Sequence, residues 1–277
     1  MRRMRRLFTS TEATVGLVIA ALFVTVAVLA PNLAPHGPAI QNLREDLDPP
    51  STDHPFGQDK LGRDVMSRVI YGARISLLVG VLVVGISATL GLCIGGLAGY
   101  AGGRIDEAVM RGIDILLAFP GILLAIALSA VLGPSLRNVL VALCAIGWTG
   151  YARLVRGEVL AWRRREFIVA AHALGAPPVR ILRRHIVPQL LTPLIVQATF
   201  GMAGAIVAEA SLSFLGIGVQ PPTPSWGSMI NEGRAFLLIA PHVALFPGLA
   251  IMLTVLGLNL LGDGLRDVLD VRDVTGS

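Results

Sequence analysis

Apolar residues gather in six blocks along the chain, at about 13–33, 76–99, 113–133, 138–157, 190–216 and 242–262. Each block is near the ~20 residues that cross ~30 Å of hydrocarbon at ~1.5 Å per residue. The polar stretches between them are of two kinds. Residues 34–75 and 218–232 are punctuated by Pro and Gly, as in PHGPAI, LDPPSTDHPFG and GVQPPTPSWGSMINE. The first of these closes on LGRDVMSRVIYGAR, which reads as an amphipathic helix, and Trp226 in the second suits an interfacial depth. The stretch 160–188 is basic and short of apolar runs. This pattern predicts an all-α polytopic membrane protein with about six transmembrane helices.

Composition supports that reading. Of 277 residues, 54% are hydrophobic and 15% charged, against about 25% charged in a soluble domain. The polar surface is too thin to cover a water-exposed globule. The net charge of +5 does not point to nucleic acid, because the Arg residues sit between apolar blocks without interleaved aromatics. Cys93 and Cys144 lie inside apolar blocks and read as packing residues. The start, MRRMRRLFTSTEATVGLVIAALFVTVAVLA, imitates a secretory signal, but its apolar run is long and Pro31 follows it, so it reads as a retained first span.

Charge also sets an expected orientation. Sixteen of the 23 Lys and Arg fall in the flanks and connections that share a side with the N-terminus, among them Arg2, Arg104, Arg153, Arg180 and Arg272. The positive-inside rule therefore predicts N-in and C-in. Residues 1–75 would form a first span with an extracytoplasmic loop, 76–265 a core, and 266–277 a cytoplasmic tail. No internal repeat is visible, which argues against a self-contained transporter of two inverted halves. Gly91, Gly95 and Gly99 recur every four residues on one helical face, where small residues let a second helix backbone approach.

The segment VAAHALGAPPVRILRRHIVP at 169–188 would lie on the cytoplasmic side. Ala170, Ala171 and Ala173 make a helical surface with little bulk, Gly175 can take the left-handed conformation that ends a helix, and Pro177 and Pro178 suit the first turn of the next. Arg180, Arg183 and Arg184 then follow, and Pro188 marks the return to the membrane. The product is a helix–bend–helix. Small tips seat in a partner's groove and basic flanks steer toward an acidic rim; an interfacial helix touching anionic lipid is the alternative.

The same segment resembles the cytoplasmic coupling loop, or EAA loop, of ABC importer permeases. Ala170, Ala171, Gly175 and Pro188 match its spacing, with His172, Ala173, Ala176 and Arg180 inside it; Val169 stands at the Glu position, Val187 at the Leu position and His185 where Ile is usual. HPFGQDKLGRDVMSRVIYGARISLLVG at 54–80, GYAGGRIDEAVMRGIDILLAFPGILLAI at 99–126, ASLSFLGIGVQPPTPSWGSMI at 210–230 and GDGLRDVLDVR at 262–272 resemble signatures of the dipeptide/oligopeptide/nickel subfamily, C-type subunit. The resemblance covers nearly the whole chain in order. It implies a type I permease fold in a bacterial inner membrane, a B-type permease partner, two cytoplasmic ATPases carrying ATP and Mg, an external binding protein, and a peptide or nickel cargo.

The residues exclude chemistry of the chain's own. A P-loop needs a Lys after its Gly-rich turn, and the single lysine, Lys60, lies in GQDKLG outside any such motif. No HExxH occurs, and the five histidines are scattered. A nucleotide-independent channel is the rival from another class. Glu209, inside the fifth block, is a candidate for the translocation pathway or for helix–helix bonding. Asp114 and Glu158 are expected to pair with nearby Arg111 and Arg156.

Overall fold

A computed structural model describes residues 11–270; the basic residues Arg2, Arg3, Arg5 and Arg6, Arg272, and most of the expected 266–277 tail lie outside them. Among the described residues the α-helices are α1 (Thr11–Val28), α2 (Ala30–Leu33), α3 (Val65–Ala101), α4 (Gly103–Leu117), α5 (Gly121–Leu132), α6 (Leu136–Arg163), α7 (Glu166–Ala173), α8 (Pro178–Ile181), α9 (Val187–Phe214), α10 (Trp226–Gly233) and α11 (His242–Asp270), and no strand is formed beyond a lone Gln58–Asp64 bridge. Five helical stretches are long and apolar enough to cross a membrane, and a sixth results if α4 and α5 count as one broken span.

The boundaries depart from the apolar blocks in three places, each for a local reason. The second block begins too late: the expected amphipathic helix is simply the first turns of α3. Asp64 starts it by accepting from the Ser67 N–H at 2.7 Å, and nothing breaks it until Gly102 and Gly103, both at positive φ. At 37 residues α3 is about 55 Å long, so it overshoots the hydrocarbon and carries the expected division at residue 75 in its interior. The division at 266 falls inside α11 in the same way.

The third block, 113–133, is not one helix. α4 and α5 meet at a bend of 80°. Pro120 has no N–H to donate and disfavours helical backbone at Phe119, while the apolar composition runs straight through the break. The fifth span, by contrast, starts early. Pro188 would clash with the carbonyl four residues back, and a π-helical turn at Leu182–Ile186 widens the helix there, with the Val187 N–H donating to the Leu182 carbonyl. Helix therefore continues from Pro178 to Phe214.

Glycines set how the helices run. A methyl on Gly16 would strike the backbone at Leu260–Leu261, one on Gly257 would strike Ile19, and one on Gly264 would strike Ala13, so α1 and α11 are antiparallel. Gly91 packs on Tyr151 and Ala152, Gly95 on the Ala152 carbonyl and Gly99 on Arg156 and Val159, so α3 and α6 run parallel. The α3 glycines thus face α6 of the same chain. Gly80 against Met202, and Gly201 against Val84 and Tyr151, place α9 antiparallel to both. The starts of α1 and α4, the 164–177 bend and the finish of α11 consequently share one end, the elbow end. Residues 34–64 and 215–241 share the other, the loop end.

Three buried clusters hold the bundle. One joins Ala20, Phe23, Val65, Ile206, Trp226 and Met229 at the loop end; one joins Val83, Ala125, Leu143 and Leu212 in the middle; the third lies under the elbow. Large side chains such as Leu22, Val81, Leu123 and Leu253 point outward, an arrangement suited to lipid rather than water.

Candidate functional site

The elbow is built from backbone signals upward. α6 ends at Arg163, and Arg165 in extended conformation starts α7. The corner is braced by Arg163, which donates to the Tyr100 carbonyl at 2.8 Å and lies over the Tyr100 ring, and by Arg165 over Trp162. α7 ends in a Schellman motif: the Gly175 N–H donates to the His172 carbonyl at 3.0 Å and the Ala176 N–H to the Ala171 carbonyl at 3.1 Å. Gly175 has φ +80°, with open space where a side chain would go, so backbone conformation alone asks for glycine here. Pro177 caps α8 and Pro178 opens it.

The elbow is bolted down on its inner side and bare on its outer. Ile168, Ile181, Ile186 and Leu190 are buried with Val155 and Val159 of α6, and Ala171 and Ala176 pack against them. On the outside are Ala170, His172, Ala173, Gly175, Arg180 and Pro188. The most exposed large apolar residues there are Leu174, 88% exposed, and Val179, 75% exposed. The tip is therefore apolar as well as small, a feature not singled out from the sequence although Leu174 sits between two of the residues that were.

Acidic residues near the elbow end pair over longer sequence distances than expected. Asp106 receives Arg156, and Asp114 receives Arg153, not Arg111. Arg111 bonds Glu107 one turn away at 2.5 Å. These pairs tie α4 to α6.

Glu209 sits inside the subunit, 0% exposed. One carboxylate oxygen accepts from the Ser213 hydroxyl at 2.6 Å, and Ser213 accepts in turn from the Val219 N–H at 3.0 Å. This joins the last turns of α9 to the loop that follows. A cavity of about 300 Å³ lies elsewhere, between α3, α5, α6 and α9. Ser87, Tyr151 and Gln197 are its polar lining, and the Ser87 hydroxyl has no partner among the described residues. None of the three was picked out from the sequence; each is one polar residue in an apolar run, and only the fold brings them together.

At the loop end, a second polar structure was missed. Asp59 accepts from Arg63 at 2.7 Å and from Arg68 at 2.6 Å, and Glu232 on α10 accepts from the same two arginines at 2.5 and 3.3 Å. Burial pushes the Glu232 carboxyl above its usual range, with Arg63 pulling against the shift. Trp226 does not face outward: it is buried on Gly72, and its indole N–H donates to the Val69 carbonyl at 2.9 Å. The 55–68 segment is thus a folded plug locked to α10. Its sequence signal was the Asp59–Arg63 spacing of four residues.

Comparison with known proteins agrees with this architecture. Residues 91–272 match the model of the binding-protein-dependent transport system inner membrane component, and residues 2–50 match the N-terminal TM domain of oligopeptide transport permease C. A dipeptide transport system permease protein of Alkalihalophilus pseudofirmus is 48% identical over 260 residues, 94% of this chain and 86% of that protein. A glutathione transport system permease protein of Escherichia coli is 48% identical over 272 residues, 98% of this chain and 89% of that protein. An all-helical bundle with a broken third span and matches along nearly its full length lead to one assignment: the chain belongs to the inner membrane components of binding-protein-dependent transport systems, the multi-pass permease subunits of bacterial ABC importers.

Proposed function

We propose that this subunit pairs with a second, B-type permease to form a pathway for short peptides, and that its elbow is the contact through which one of two cytoplasmic ATPases drives it. The observation that carries the coupling reading is the elbow's two-sidedness. Its base is buried, through Ile168, Ile181, Ile186 and Leu190, while its tip offers Leu174, Val179 and the alanine surface to a partner, flanked by Arg180, Arg183 and Arg184. A rigid base under an exposed apolar tip transmits displacement; a loosely held amphipathic anchor would not need it. ATP and Mg belong to the partner ATPases in this scheme, and an external binding protein delivers cargo to the loop end, with the N- and C-termini in the cytoplasm.

Peptide is preferred over nickel as cargo. The relatives named for a cargo carry dipeptide and glutathione, and the cavity between α3, α5, α6 and α9 offers a hydroxyl, a phenol and an amide in an apolar wall rather than a set of metal ligands. Transport is directed only if cargo binds differently to the two states that ATP interconverts.

The test is site-directed cross-linking from residues 170–176 in the assembled importer. Photoprobes there are expected to capture an ATPase subunit, more strongly when ATP is bound. Labelling by lipid probes alone would sink the coupling reading. Uptake of a labelled dipeptide into reconstituted vesicles, strictly dependent on ATP and on the binding protein, separates the importer from a channel.

A further inference from the structure

We propose that His36, His54 and Asp64 form a binding site for a resident divalent transition-metal ion of the zinc class at the loop end of the bundle. The three residues come from different segments: His36 follows α2, His54 lies in the loop before the Asp59 plug, and Asp64 is the capping residue of α3. Their donor atoms all lie within 4.8 Å of one another. His54 Nδ1 is 2.9 Å from one oxygen of Asp64, and His36 Nδ1 is 3.9 Å from the other. An ion held at about 2.0–2.1 Å by tetrahedral ligands spaces its donors by about 3.3 Å, a value those two distances bracket.

The supporting bonds are already in place. The Asp64 oxygen nearer His36 accepts from the Ser67 N–H, which holds the carboxylate at the helix start. The Ser67 hydroxyl accepts from the His36 backbone N–H at 3.0 Å, and the Ser51 hydroxyl accepts from the His54 backbone N–H at 3.0 Å. These bonds fix the Asp64 carboxylate and the backbone of both histidines, so the three side chains are presented from held positions. Asp64 is buried, His54 is partly covered and His36 is exposed, so an ion could enter from solvent and keep water on its open side.

A plain imidazole–carboxylate hydrogen bond accounts for His54 and Asp64 but not for His36. Its nitrogen turns toward the same carboxylate at a distance too long for a hydrogen bond, and its ring lies 4.6 Å from that of His54. An ion between the three satisfies both rings at once and displaces the proton that the His54–Asp64 bond requires. Two imidazoles and one carboxylate suit Zn²⁺, Co²⁺, Ni²⁺ or Cu²⁺, and supply too few oxygens for Ca²⁺ or Mg²⁺. The site does not line the cavity of Ser87, Tyr151 and Gln197. Its place is at the junction of α2, the loop and α3, where an ion would staple the segment after the first span to the start of the second.

The experiment uses the full importer complex, purified through a tag without histidine, stripped with chelator and titrated with Co²⁺ and then Zn²⁺. Wild type is expected to take up one Co²⁺ with a visible ligand-field band that Zn²⁺ abolishes. His36→Ala, an exposed position, is expected to weaken Zn²⁺ binding at least tenfold and to remove the rise in melting temperature that Zn²⁺ gives the wild type; His172→Ala at the elbow should change neither. Absence of a stoichiometric Co²⁺ band, or unaltered Zn²⁺ affinity in His36→Ala, overturns the site. Release of the bound ion into the lumen during ATP-driven turnover overturns its resident role. Neither outcome bears on peptide uptake, which tests the proposed function separately.

Discussion

Ile181→Ala tests whether the elbow works as a rigid handle. Ile181 is fully buried at the end of α8, among Ile168, Ile186, Leu190, Val155 and Val159. Truncation removes three carbons, worth about 0.8 kcal/mol each, so roughly 2.4 kcal/mol in transfer alone. Incomplete collapse around the void brings the expected loss to about 2–5 kcal/mol. α7 has eight residues, too few for a helix to persist without packing, so most of that loss should appear as local opening rather than global unfolding. At about 1.4 kcal/mol per factor of ten, amide exchange over 166–176 should accelerate at least 30-fold, while exchange in the middle of α3 stays unchanged. Peptide taken up per ATP hydrolysed should fall with it. Leu174→Ala is the complementary variant: the side chain is almost fully exposed, so exchange should not change, yet uptake should fall if the tip is the docking surface. Faster exchange in Ile181→Ala with unchanged uptake per ATP would refute the handle, and unchanged exchange would refute the packing argument beneath it.

Two further substitutions address the body of the subunit. Gly95→Ala would drive a methyl into the Ala152 carbonyl, whereas Gly85→Ala in the same helix meets nothing within 4 Å; thermal unfolding in detergent should show the first destabilised by about 1–3 kcal/mol and the second unchanged or slightly stabilised. Glu209→Gln keeps an acceptor for the Ser213 hydroxyl and should leave uptake within about twofold of wild type, while Glu209→Ala strands Ser213 and should cost about 1–3 kcal/mol of stability; an uptake defect in the Gln variant with normal stability would assign Glu209 to the pathway instead.

The sequence was most legible where the cause of structure is local. Gly175, Pro177 and Pro178 act on the backbone of their own residues, so the bend at 174–178 could be located to a residue without knowing what surrounds it. Membrane spans depend on composition over a window, and their number and order follow from it. That same averaging hid the break at Phe119–Pro120. A window across 113–133 sums apolar side chains and is blind to one missing N–H, although Pro120 itself was in view. The pairings were least legible. Arg63 and Arg68 meet Glu232 across more than 160 positions, and Trp226 meets Val69 across 157. Asp114 was matched to Arg111 because it was near in sequence, when its partner Arg153 lies 39 positions further on, in α6.

Those nonlocal bonds matter because they decide where motion applied at the elbow can go. Helix continues from Pro178 through the π turn to Phe214, 37 residues or about 55 Å, with the elbow at one end and the Glu209–Ser213–Val219 linkage at the other. A helix transmits displacement along its axis unless it has somewhere to bend, and this one has two such places: the widened turn at Leu182–Ile186 and Pro193. Ile186 and Leu190 are packed on α6 across the first of these, which restrains it from the side. Past Pro193, Gly201 lies tight against Tyr151, with Thr199 and Phe200 seated on Gly262. Ala210 then touches Gly227 at the foot of the α10 plug, where Arg63 and Arg68 are anchored. The elbow and the loop end are therefore joined by one continuous helix whose bends are both braced, and in the proposed coupling a force gripping the elbow has a direct path along it to the loop end.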